Sequence, residues 1–221
     1  MNTTETPETL TLNARQLSIS QLNERLCAAP SSIATIRIIE CATPDLLAPG
    51  FDRECRVLIE GNLGDYCLCG ISNAEIEVRG RAGCGLGSSM ESGSILQHDD
   101  TDDATGAFSR GGLITLLGSA GRRVGAGMCG GEIVVKGSIG SQAAMEMTAG
   151  TLLIFGNAGA MLGQDMLGGT IYLRGKAASL APQLEECRLK EADRLRIGLL
   201  LLKSGVQGDA RDFRVLKVVG G

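Results

Sequence analysis

The sequence predicts an all-β chain built as a single-stranded parallel β-helix, a solenoid of about seven 19-residue coils with a small N-terminal α/β cap and a C-terminal helix. Three observations carry this expectation. Glycine recurs at Gly61, Gly80, Gly118, Gly137, Gly156 and Gly175, a period of 19 whose one wide gap, from Gly80 to Gly118, is two periods. Each period closes on two apolar residues around a more polar one, as in Ile76/Val78, Ile114/Leu116, Ile133/Val135, Leu152/Ile154 and Ile171/Leu173. Finally, the chain holds 32 glycines but five prolines and no strict G-X-Y triplet repeat, so the glycine serves something other than a collagen helix.

The elements follow in chain order. Residues 1–41 form the expected N-terminal cap, with a strand at TLTLNA, a helix at SISQLNERLCAA and a second strand at SIATIRIIE. The coil stack occupies 42–175. Its first coil, 42–60, retains only its strand, with Val57 and Ile59 in phase. With the first glycine of a coil as position zero, a second follows at plus three: Gly64, Gly83, Gly121, Gly140 and Gly159. Plus seven holds Gly87, Gly106, Gly125 and Gly163, with Leu68 and Ala144 as departures; plus ten holds Ile71 and Met90, Met128, Met147 and Met166. At plus thirteen come Ala74, Gly93, Gly112, Gly131, Gly150 and Gly169.

An alternating tail reads as a short strand with one face inward, because successive strand side chains change face. Glycines on either side read as corners where the chain bends through positive φ. A strand of about five residues cannot stand alone, but stacked coils place equivalent residues about 4.8 Å apart and line the interior with columns of aliphatic and methionine side chains. After Gly175, the region 176–221 is expected to be a helical cap and tail. LEECRLKEADRLRIGLLLLKSG places Leu189, Ala192, Leu195, Leu199 and Leu202 on one helical face, stopped by Gly205. The final VQGDARDFRVLKVVGG yields no reading of its own.

Composition narrows the function classes. A formal net charge of −4 and a pI near 5.2 argue against nucleic-acid binding. No apolar run reaches about 18 residues and MNTTETPETL lacks a cationic signal-peptide start, so neither a membrane span nor secretion is expected. Eight cysteines in such a chain point to thiols in a reducing, cytoplasmic setting.

Candidate chemistry is sparse. The glycine clusters lead into strands rather than a helix N-terminus, so a phosphate cradle is disfavoured. Cys67, Cys69, Cys84 and Cys129 fall at plus six, eight, four and eleven, which makes no column and favours buried or half-buried thiols over a metal site. No nucleophile with a matched base emerges, so no catalytic, cofactor-binding or metal-ligating residue is expected. The coil HDDTDDATGAFSRGGLITLLG keeps its phase but carries an acidic corner: His98, Asp99, Asp100, Asp102 and Asp103. Carboxylates suit hard cations, yet the glycine and closing glutamate of an EF-hand loop are missing. The corner reads first as solvated surface and second as a contact for a partner chain.

The units GNLGDYCLCGISNAEIEVRGRAGCGLGSSMESG and GNAGAMLGQDMLGGTIYLRG resemble the G-x-G-x-G repeat domain at the C-terminal end of the glutamate synthase large chain, a right-handed β-helix. The resemblance covers about residues 10 to 205 and is nearest the stand-alone small subunit of N-methylglutamate synthase-like complexes. It implies a non-catalytic scaffold, with ammonia release by a glutamine amidotransferase chain and reductive synthesis by a chain carrying FMN and an iron-sulfur cluster. No cofactor is expected in this chain, and a homo-oligomer remains compatible. Two alternatives are similar in fold or naming: the repeat-bearing subunit of formylmethanofuran dehydrogenase or formyltransferase/hydrolase complexes, and an independent structural oligomer or esterase-like hydrolase.

Overall fold

A computed structural model describes residues 8–218. The strands are β1 (Glu8–Asn13), β2 (Ile33–Ala42), β3 (Arg56–Asn62), β4 (Glu75–Arg79), β5 (Ser94–Gln97), β6 (Leu113–Leu116), β7 (Cys129–Val135), β8 (Ala149–Ile154), β9 (Thr170–Leu173), β10 (Leu184–Cys187) and β11 (Arg214–Val218), with helices α1 (Ile19–Ala28) and α2 (Glu191–Ser204). They make one 11-stranded sheet in the order β1-β2-β3-β4-β5-β6-β7-β8-β9-β11-β10. From β1 to β9 every neighbour is parallel; β11 runs antiparallel to β9, and β10 antiparallel to β11. A second line of parallel bridges joins Leu63, Ala82, Thr101, Ala120, Ile139, Ala158 and Ala177. The molecule is a parallel β-helix, as the period predicts.

The ladder keeps the 19-residue register: Val57, Ile76, Ile95, Ile114, Ile133, Leu152 and Ile171 stand over one another, all buried. Met90, Met128, Met147 and Met166 form a second inward column. Burying one such side chain contributes roughly 1.5–3 kcal/mol relative to exposure, so every further coil adds to the stabilising columns.

The glycine columns divide into two kinds. Gly131 and Gly169 lie at φ +80° and +88°, as expected of corners, and Gly61 and Gly80 also have positive φ. Gly64, Gly83, Gly118, Gly121, Gly137, Gly140, Gly156 and Gly159 do not. They are glycine because the preceding coil is too close: a Cβ on Gly140 would stand 2.7 Å from the carbonyl carbon of Gly121, and one on Gly118 2.6 Å from that of Asp99. Stacking contact, rather than bending, selects glycine there.

The bend is made elsewhere, by left-handed residues at plus five, seven and nine. Tyr66, Leu68 and Gly70 have φ of 54°, 58° and 64°, and Arg123, Gly125 and Gly127 have 60°, 64° and 64°. Their N–H groups alternate in direction: Tyr66 donates up to Cys84, Leu68 down to Leu47, Gly70 up to Ser88. Each corner is thereby bonded to both neighbouring coils, which offsets the roughly 1–3 kcal/mol cost of a left-handed non-glycine residue. The coil at 42–60 has this corner too, with left-handed Leu46, Ala48 and Gly50, although only its strand is legible in the sequence.

The N-terminal strands extend the sheet directly, with Ile36 on Val57 and Ile38 on Ile59. Helix α1 starts in a capping box between Ser18 and Gln21 and buries Leu22 and Leu26 over the open end of the core. Asn23 then donates to the Leu46 carbonyl and accepts from the Ala48 N–H, pairing backbone groups that have no preceding coil to bond.

At the other end the structure corrects two expectations. Leu184 of β10 and Leu216 of β11 join the solenoid core, so the β10/β11 pair, half of it from the segment without a sequence reading, covers the last coil. Helix α2 lies instead on the outer face of the sheet, where Ile197 and Leu200 pack with Val134, Leu153 and Tyr172. The stripe Leu195, Leu199, Leu202 is therefore the helix's exposed side, at 63%, 57% and 79%. Because α2 is apolar on more than one side, its periodicity does not identify the buried face.

Candidate functional site

The acidic corner is built into the coil ladder. Asp100 Oδ1 accepts from Ser119 N–H at 2.8 Å and Asp103 Oδ1 from Arg122 N–H at 2.7 Å, while Asp103 Oδ2 pairs with the Arg122 guanidinium at 2.8 Å. The hydrogen bond from the Arg122 backbone, helped by the arginine charge, holds the Asp103 carboxyl below the usual carboxylate range. The Asp100 position is a column of short acceptors: Asn62, Ser119, Ser138 and Asn157 bond the next coil in the same way. His98 faces away from this corner, with Nε2 3.0 Å from Glu77 Oε1. Asp99 and Asp102 are the two acids left exposed.

Glu77 projects from the outer face of β4 and is largely buried. Burial pushes its carboxyl up, but Arg79 and Arg56, at 2.9 and 3.0 Å, together with His98 hold it below the ordinary range. It is a charge-paired carboxylate without an adjacent nucleophile.

The end of β5 and the acidic coil that follows it are polar inside. Gln97, Thr101, Thr105 and Ser109 are buried where neighbouring coils place Val78 or Leu116, Ala82, Leu86 and Met90. Thr105 donates to Thr101 at 2.8 Å and Ser109 to the Gly106 carbonyl at 2.7 Å, whereas Gln97 Oε1 lacks a partner. In sequence the signal was the break in the methionine column at Ser109.

Eight free cysteines are distributed from buried to exposed. Burial pushes the Cys41 and Cys67 thiols up to about 11, the opposite of the lowered value a thiolate nucleophile requires. Cys55 borders a recess of about 730 Å³, beside Glu54, Arg56 and Glu75, and its thiol too is raised by burial. Among the described residues no group of three or more His, Cys, Asp or Glu could hold a metal ion. Among them, too, no helix is long and apolar enough to cross a membrane.

Helix α2 is the remaining feature that faces outward in an organised way. Its inner side is anchored by Asp193, which accepts from Tyr172 at 3.1 Å and from Lys190 N–H at 3.0 Å and pairs with Lys217 at 3.3 Å. Burial raises the Tyr172 phenol and the Asp193 charge raises it further. Beside α2 runs a groove of about 570 Å³ whose floor is the backbone of Gly112, Gly131 and Gly150 and whose wall carries Arg196 and Lys203.

The fold and these sites define a glycine-register parallel β-helix with an attached surface helix. Comparison with protein-family models, curated proteins and solved structures finds no match.

Proposed function

We propose that this chain is a cytoplasmic, non-catalytic scaffold subunit of a glutamate-synthase-like assembly. Its partners in that reading are a glutamine amidotransferase chain and a synthase chain that carries FMN and an iron-sulfur cluster. The observation that carries the proposal is the 19-residue coil register, whose ladder bonds each interior corner to the coils on both sides. Such a rod has little internal freedom and suits a part that holds other active sites in fixed relation. The G-x-G-x-G resemblance of residues 61–93 and 156–175 supports the choice of assembly.

The test is gentle affinity purification of the chain from its native cell, with mass spectrometry and an absorption spectrum of the product. A glutamine amidotransferase and a yellow-brown synthase chain are expected. A molybdenum or tungsten enzyme, or formyltransferase chains, would transfer the reading to a one-carbon complex. A colourless self-oligomer, or saturable ester hydrolysis abolished by one Ser or Cys substitution, would remove it.

A further inference from the structure

We propose that the outer face of α2 docks an amphipathic helix of a partner chain whose apolar stripe is flanked by carboxylates. This rests on the scaffold-subunit reading and names the surface that engages another chain. Helix α2 is apolar on two opposite sides: Ile197 and Leu200 are spent on the sheet, while Leu195, Leu199 and Leu202 stand in solvent. A helix with apolar residues on both sides is one that is covered on both. Together with Gly198, the exposed residues follow the i, i+3, i+4, i+7 spacing by which a helix is recognised along one face.

Gly198 strengthens the case. Glycine inside a helix is destabilising by roughly 0.5–1 kcal/mol relative to alanine. Here nothing lies within 4 Å of the position a Cβ would take, and φ is not left-handed, so neither packing nor backbone geometry within the chain calls for glycine. A bare position in the middle of the leucine stripe lets another helix approach closely.

Charge selects the occupant. Residues 188–203 carry Arg188, Lys190, Arg194, Arg196 and Lys203 against Glu191 and Asp193, in a chain whose net charge is −4. Asp193 is turned inward, Glu191 pairs with Arg194, and Lys203 with Glu132. Arg188, Lys190 and Arg196 have no carboxylate partner among the described residues. A second copy seated on this face would oppose cation to cation, whereas a helix with flanking Glu or Asp would neutralise them. A flat anionic lipid surface would answer the charge but leave the glycine-floored groove along the Arg196–Lys203 flank unfilled. Three leucines fall short of the roughly 800 Å² a stable interface buries per partner, and the groove supplies adjoining surface for the partner's side chains.

The test uses the native assembly, with a photo-crosslinking phenylalanine derivative in place of Leu199 and, as control, in place of Glu24 on α1. The Leu199 probe is expected to join a different polypeptide at an amphipathic segment flanked by acidic residues. A combined Leu195→Ser, Leu199→Ser, Leu202→Ser variant should retain its thermal midpoint yet lose that chain about tenfold, as should Arg188→Glu with Arg196→Glu, while Arg188→Lys with Arg196→Lys retains it. Crosslinks to a second copy, to lipid or to a basic segment would overturn the inference. So would undiminished co-purification of partner chains with the serine variant, an outcome that leaves the subunit reading standing. A wild-type chain that brings down no other polypeptide would end both.

Discussion

Asp103 Oδ1 accepts the backbone N–H of Arg122, 19 residues further along the chain, at 2.7 Å. The same one-coil relation joins Asp65 to Cys84 at 2.8 Å and Asp100 to Ser119 at 2.8 Å. A run of acids that reads in sequence as one solvated corner is thus divided by the coil into acceptors that bond the next turn and acids that face water.

That division is measurable by chemical denaturation. Asp100→Ala and Asp103→Ala should each destabilise the chain by about 1 kcal/mol, the net value of a hydrogen bond. Asp99→Ala and Asp102→Ala should stay within about 0.5 kcal/mol of wild type. Four equal effects would contradict the assignment.

Gly131→Val and Gly169→Val should abolish folding or lower the thermal midpoint severely. A Cβ at Gly131 meets the carbonyl carbon of Gly111 at 2.8 Å, one at Gly169 meets the Gly150 carbonyl oxygen at 3.1 Å and displaces the movable Met147 Cε, and both residues have left-handed φ. Gly205→Ala, left-handed but with open space around it, should cost only about 1 kcal/mol. Scanning calorimetry of the three variants separates steric exclusion from conformational preference.

Gln97→Leu is expected to stabilise the protein by about 1 kcal/mol. It removes a buried oxygen without a partner and continues the apolar column of Val78 and Leu116. A lower unfolding midpoint would show that the amide's bonds to the Gly80 and Asp99 carbonyls matter more.

Asp193 should make stability pH-dependent in acid. Burial pushes its carboxyl up, but hydrogen bonds from Lys190 N–H, Tyr172 and Lys217, with the Lys217 charge, hold it below the ordinary value. Its contribution is therefore complete above the unfolded-state pKa of about 3.9 and is lost as pH falls through the lower folded value. Asp193→Asn should unfold at lower temperature than wild type at pH 6, and the gap should narrow as pH falls below about 4. A constant gap would place the stabilising role elsewhere.

The sequence by itself determined the coil. Its 19-residue period, the inward columns and the corner at Gly131 were legible because every coil meets the same neighbours, so one packing constraint is written many times over. The two causes of glycine were not separable there, since Gly140, which is crowded only, and Gly131, which is both crowded and left-handed, look alike as letters. The corner at Leu46, Ala48 and Gly50 was hidden because left-handed residues bonded on both sides need not be glycine. Only the tertiary structure decided which side of α2 is inside. Val134, Leu153 and Tyr172 come from three coils and form one apolar wall only once stacked, so the choice of Ile197 and Leu200 over Leu195, Leu199 and Leu202 is made by that wall rather than by the helix.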